Sequence, residues 1–329
     1  MASEKVGIIG SGLIGRSWAM LFAGAGYHVA IFDVDQSRIP EALQDIRQQL
    51  ETLQEMGMLR GTLKASEQAG LIKGVATLEE ALKDAVYVQE CVFEDVELKK
   101  MIFKEFDGLV DNKTILASST SCFPASSFTE NLVHRSQCLV AHPVNPPYYV
   151  PLVEIVPAPW TNAKVTAAAR AIQERIGQSP VVLNKEIAGF VLNRVQYAIL
   201  NECWNLVEDG VLSVRDVDSV MSDGLGMRYA FLGPLETAHL NAEGTQEYFQ
   251  KYAQGIIRVS NTFKGTPTYC QETINKVDKL LTDKMPLKDL PYWRKWRDTR
   301  LAALAKLKRD STLADKANGW ETERRRKTH

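Results

Sequence analysis

The segment that most constrains this chain is Gly10-Ser11-Gly12-Leu13-Ile14-Gly15, which follows the apolar run at residues 6–9 and opens a helical pattern. A bare G-x-G-x-x-G arises by chance. Here a strand-like stretch precedes it, a helix follows, and a second strand-like stretch at 28–32 ends in the acid Asp33. Gly10 permits the tight turn, Gly12 lets the backbone approach a pyrophosphate, and Gly15 lets helix and strand pack closely. The helix start adds free N–H groups and partial positive charge for the phosphates. Asp33 suits a ribose 2′-hydroxyl and repels a 2′-phosphate. The next residues, Val34 and Asp35, bring no arginine, so the pattern points to NAD rather than NADP.

The first half alternates strand-like stretches (6–9, 28–32, 86–90, 114–117, 138–141 and 181–183) with helical patterns at 13–25, 37–56 and 96–109. That alternation predicts an α/β fold with a Rossmann-type, doubly wound, mostly parallel sheet, whose ligands bind at the carboxyl ends of the strands. Beyond Lys185 the pattern is helical throughout. We therefore expect an NAD-binding domain over 1–186 and an all-helical domain over 187–329. The stretch 187–207 is apolar on nearly every side, which suggests a helix buried in a core or against a partner subunit.

Composition narrows the function classes. A formal net charge of −1 across 329 residues argues against nucleic acid as the main partner, which requires concentrated positive charge. The basic run Arg324-Arg325-Arg326-Lys327 reads as a solvated terminus. Five dispersed cysteines without a C-x-x-C pair fit reduced thiols and no metal site. No apolar run reaches the ~20 residues needed to cross a bilayer, and the start resembles no targeting peptide. The expectation is a cytoplasmic protein with no membrane partner.

The candidate chemistry lies at the carboxyl ends of the strands. His142 follows 138–141 and opens His142-Pro143-Val144-Asn145-Pro146-Pro147, where the prolines make a stiff mount. Glu154 sits inside the apolar run 152–156, where an acid needs a partner to offset its desolvation. His142 is the nearest suitable one. A carboxylate on one imidazole nitrogen leaves the other free for proton transfer, so the pair reads as a general base with its orienting acid. Asn193 shares a stripe with Phe190, Tyr197, Leu200, Trp204 and Val207, so its amide needs hydrogen-bond partners, either structural or in a site. Ser121 ends a Ser/Thr-rich turn on the expected ligand side, a weak signal alone.

These residues, in this order and spacing, resemble the 3-hydroxyacyl-CoA dehydrogenase superfamily over roughly residues 5–260. The stretches that carry the resemblance are 10–15, Glu94 to Lys99, 118–121, His142…Asn145…Glu154 and 188–194. It implies NAD-dependent oxidation of the C3 hydroxyl of a 3-hydroxy acid, with L-gulonate the expected substrate. His142 would be the base, Glu154 its orienter, and Ser121 and Asn193 would hold the substrate hydroxyl. Gly10, Gly12, Leu13, Ile14, Gly15, Asp33, Glu94, Lys99 and Asn145 would contact NAD, Glu94 and Lys99 by analogy alone. The family and the apolar helix together imply a homodimer. One departure stands out: Arg228, ahead of Gly233-Pro234, offers a planar fork suited to a free carboxylate, or to an interface salt bridge. The alternatives are a 3-hydroxyacyl-CoA substrate, an abundant structural protein with retained activity, or an NAD sensor without chemistry.

Overall fold

The computed structural model describes residues 4–317; the first three residues and the basic run at 324–327 lie outside it. Among the described residues there are eight strands: β1 Lys5–Ile9, β2 His28–Phe32, β3 Ile72–Gly74, β4 Ala85–Glu90, β5 Ile115–Ser118, β6 Cys138–Pro143, β7 Leu152–Pro157 and β8 Ser179–Val182. They form one sheet in the order β3-β2-β1-β4-β5-β6-β7-β8, parallel at every pairing except β6 with β7. The expected doubly wound sheet is therefore present. The run carrying Glu154 proves to be β7, whose antiparallel direction nothing in its own residues announces. β3 is too short to leave a periodic signal.

Strand order reverses beside β1, with β2 on one side and β4 on the other, and the crevice beyond such strand ends is where ligands bind. Side-chain alternation loads both faces of the sheet. Ile8, Ile31, Tyr87, Ala117 and Ala141 pack in one cluster, and Ile9, Ala30, Val88, Leu116 and Val140 in the other. The helix Leu13–Gly24 buries Trp18, Met20, Leu21 and Phe22 against the first cluster. The helix Arg38–Glu55 buries Ile39, Ala42, Ile46, Leu50 and Leu53, at steps of three, four, four and three. Each fully buried aliphatic side chain contributes about 1.5–3 kcal/mol, enough to fix the face a helix presents.

The chain divides into two compact units: the described residues up to Asn193 together with those from Asp298, and Arg194–Arg297. This division differs from the break expected at 186/187. Residues 187–193 stay with the sheet because Phe190 is buried in its second cluster and the Val191 and Leu192 amides bond Glu154. Most of the long helix Leu290–Ala317, from Asp298 on, also clusters with the first unit, which no local signal indicates. The helix expected over 187–207 begins only at Leu192, since Gly189 (φ 73°) and Phe190 (φ 48°) are left-handed and break the helical path. It is not a core helix: Val195, Tyr197, Ile199 and Leu200 are exposed.

The second unit is helical, with Val214–Ser219, Pro234–Leu240, Thr245–Ser260 and Gln271–Lys284 among its elements. Its buried apolar cluster is small: Val207, Val214 and Val217, backed by Cys203, Leu212, Val277 and Leu281. Among the described residues no helix is long and apolar enough to cross a membrane.

Candidate active site

The glycine loop leaves β1 at the crevice. Gly10 has φ 108°, and a Cβ there would sit 2.6 Å from the Cys91 carbonyl oxygen. A Cβ on Gly15 would lie 1.9 Å from the Gly10 carbonyl oxygen, so helix and turn meet backbone to backbone. Gly12 is different. A Cβ there meets nothing within 4 Å, so the open side of the loop faces free space at the start of a helix. This cradle fits a dinucleotide pyrophosphate. Leu13 is exposed at the helix start, and Ile14 is half-buried.

Asp33 ends the strand path of β2 and accepts the Ser11 amide (2.8 Å) and hydroxyl (2.6 Å) on Oδ2, and the Asp35 amide on Oδ1. Burial works against its charge, but these hydrogen bonds outweigh it and hold the carboxyl below the usual range. It is an ionised acceptor fixed beside the glycine loop. Ser11 is also held from behind, its carbonyl accepting from Arg16 Nε, whose guanidinium pairs with Glu41 and Asp45.

His142 and Glu154 stand directly opposite in the antiparallel β6–β7 ladder, as do Val140 and Val156 two residues away. That register puts acid and imidazole on one face. His142 Nδ1 lies 2.8 Å from Glu154 Oε2, and Phe190 packs against the ring at 5.6 Å between centroids. The other carboxylate oxygen accepts the Val191 and Leu192 amides, both at 2.8 Å, at the start of the helix Leu192–Glu208. Burial opposes the Glu154 charge, yet the imidazole and the two amides hold its carboxyl below the usual range. An ionised carboxylate only accepts, so Nδ1 donates; in the neutral imidazole the lone pair is then on Nε2.

The helix start reaches the loop after β5. Asn193 Nδ2 donates to the Ser121 carbonyl at 2.8 Å. That loop is gathered by Glu94, whose Oε1 accepts from Thr120 Oγ1 (2.7 Å), the Ser121 amide (2.8 Å) and hydroxyl (3.1 Å), and the Cys122 amide and thiol. These bonds outweigh burial and keep the Glu94 carboxyl low. Lys99 is buried, its ammonium on Glu90 and Glu94. Asn145 is exposed, followed by a cis peptide to Pro146. Arg228 belongs to the second unit, where it ends the short helix Gly226–Arg228, is exposed, and makes no ion pair among the described residues. Sequence reasoning did not assign Glu90, Ser118 or Ser11. Glu90 had a usable signal, being an acid at the end of an apolar strand, as Glu154 is an acid within one.

A mostly parallel sheet with a glycine loop at its switch point and an acid after β2 defines a dinucleotide-binding protein. The chain belongs to the 3-hydroxyacyl-CoA dehydrogenase family: the family's NAD-binding domain matches residues 5–187 and its C-terminal domain residues 189–266. Its cofactor is NAD. It is 50% identical over 313 residues to the lambda-crystallin homolog of Homo sapiens, covering 94% of this chain and 98% of that protein. It is 37% identical over 237 residues to an L-carnitine dehydrogenase of Oceanobacillus iheyensis, covering 72% and 76%. Among solved structures, an NAD+-dependent dismutase, 5-formyl-3-hydroxy-2-methylpyridine 4-carboxylic acid 5-dehydrogenase, superposes with a TM-score of 0.76 at 27% identity, covering 93% of this chain and 98% of that one.

Proposed function

We propose that this protein oxidises the C3 hydroxyl of a free 3-hydroxy acid, L-gulonate, to 3-dehydro-L-gulonate. The observation that carries the reading is the His142–Glu154 pair, whose acid is locked by two backbone amides so that Nε2 is the free basic atom. Nε2 takes the C3 hydroxyl proton, and the Glu154 carboxylate stabilises the imidazolium that results. The Ser121 hydroxyl and Asn193 amide align the substrate oxygen. The backbone from Gly10 to Gly15, with Leu13, Ile14, Asp33, Glu94, Lys99 and Asn145, holds NAD, which accepts the hydride from C3. The product is a β-keto acid, prone to lose CO₂ unaided.

A free acid is favoured over a thioester on two grounds. The stretches 10–20, 142–149 and 224–237 resemble lambda-crystallin, an L-gulonate 3-dehydrogenase, and a relative 37% identical to this chain is named for L-carnitine, itself a free 3-hydroxy acid. Arg228, exposed and without an ion pair among the described residues, is the candidate clamp for that carboxylate. The family model's own description keeps a 3-hydroxyacyl-CoA as the second reading. The helical unit is read as the substrate and dimer unit, since its exposed apolar side chains suit a second copy; light scattering tests that state. The deciding assay is NADH formation at equal concentrations of L-gulonate, a 3-hydroxybutyrate and a 3-hydroxyacyl-CoA. Turnover of L-gulonate with little of the thioester is expected, and the reverse preference overturns the free-acid assignment.

A further inference from the structure

Glu90 ends β4 with no solvent exposure, where an unpaired charge would be costly. Its contacts are complete. Oε1 accepts the Val92 amide at 2.7 Å and the Lys99 ammonium at 3.0 Å; Oε2 accepts the same ammonium at 3.0 Å and the Ser118 hydroxyl. Lys99, itself 1% exposed, also reaches Glu94 Oε2 at 3.4 Å. One ammonium therefore joins a wholly buried carboxylate to a partly exposed one. The exposed member is the acid on which residues 120–122 converge. A lysine side chain is long and flexible, and a single weak contact at 3.4 Å would leave it many rotamers. Two contacts to a rigid strand end remove that freedom.

We propose that Glu90 is a positioning residue: through the Lys99 ammonium it fixes Glu94, and through Glu94 the loop that presents the Ser121 hydroxyl. The proposal rests on the dehydrogenase reading above. Glu90 touches neither substrate nor reacting atoms; it holds the group that holds the loop. Ser118 supports it directly, joining the last residue of β5 to the last of β4 so that the loop departs from a fixed point. The competing account is a buried ion pair that only fastens the helix Val96–Asp107 to the sheet.

Glu90→Gln in the full chain separates the accounts. It leaves a buried ammonium short of one partner and lowers the melting temperature on either account. Two readouts are taken on it: kcat/KM for L-gulonate, and the iodoacetamide alkylation rate of Cys122 resolved by mass spectrometry, with exposed Cys270 as internal control. Positioning predicts that Glu90→Gln, assayed well below its melting transition and at saturating NAD with Lys99 in place, is about 10–100-fold down in kcat/KM for L-gulonate. It also predicts Cys122 alkylation several-fold faster than in wild type, with Cys270 unchanged. Glu90→Gln with wild-type kcat/KM and Cys122 rate at that temperature overturns the proposal. The alkylation readout needs no turnover, so it decides the question even if L-gulonate is not the substrate; His142→Gln with full activity would defeat the dehydrogenase mechanism instead.

Discussion

The two compact units use apolar residues in opposite ways. The first buries Trp18, Phe22, Tyr87, Phe103 and Phe106 completely, on both faces of its sheet. The second has a buried cluster of three valines, while Phe249, Tyr252, Ile256 and Ile257 lie exposed along one helix. A self-sufficient core can hold side chains to the tolerance that proton transfer needs. The glycine loop, the His142–Glu154 pair and the Ser121–Asn193 contact all belong to the first unit. The second unit offers an exposed Arg228 and an apolar surface suited to cover by another chain.

The sharpest way to break this contrast is to remove the base. His142→Gln should cost about 10²–10⁴-fold in kcat with NAD affinity unchanged by calorimetry. A parallel loss of NAD binding would mean that cradle and dyad are one structure rather than two devices. In the wild type, oxidation needs unprotonated imidazole, so its rate should rise with pH while the reverse reaction falls.

Glu154→Gln should cost about 10–100-fold in kcat, because orientation and imidazolium stabilisation are both weakened. It also carries a stability signature. The Glu154 carboxyl titrates below its unfolded value, so its contribution is full above the unfolded pKa and disappears as pH falls through the folded one. Urea melts should show wild type about 1–3 kcal/mol more stable near neutrality, with the gap closing below about pH 4. A gap constant with pH would show that the acid is not held ionised.

Gly15→Ala tests the cradle. Its Cβ meets a backbone oxygen, so the turn must open; a stability loss of about 1–3 kcal/mol is expected, with NAD affinity falling at the same time. Retained NAD affinity would separate loop geometry from binding. The smallest effect belongs to the second unit. Arg228→Ala should raise KM for L-gulonate about tenfold, leaving kcat within a few-fold and NAD affinity untouched. An unchanged KM would leave the first unit with all the recognition so far assigned.

Much of the first unit was legible because its signals are local. The strand before the glycine loop, the helix after it and Asp33 at the end of β2 are read from neighbouring residues. His142 and Glu154 were paired by a physical necessity, since an acid in an apolar run must have a partner. Ser121 and Asn193 carried weak signals, and the hydrogen bond between them joins residues 72 positions apart. The start of the helix at Leu192 was hidden because Phe190 takes a left-handed conformation that its residue type disfavours. Glu90, a strand end on the expected ligand side, was given no role although the argument applied to Glu154 also fitted it.

Residue order alone determined the α/β alternation, the NAD-type loop and the need of Glu154 for a cation or donor, because turn geometry, periodicity and desolvation act within a few residues. Tertiary structure decided that β7 runs antiparallel to β6, which places Glu154 across from His142. It also decided that two helix-start amides lock the acid's other oxygen, and that a buried Glu90–Lys99 pair stands beneath the Ser121 loop. Those contacts join segments far apart in the chain, and only the packing of the whole sheet sets which of them meet.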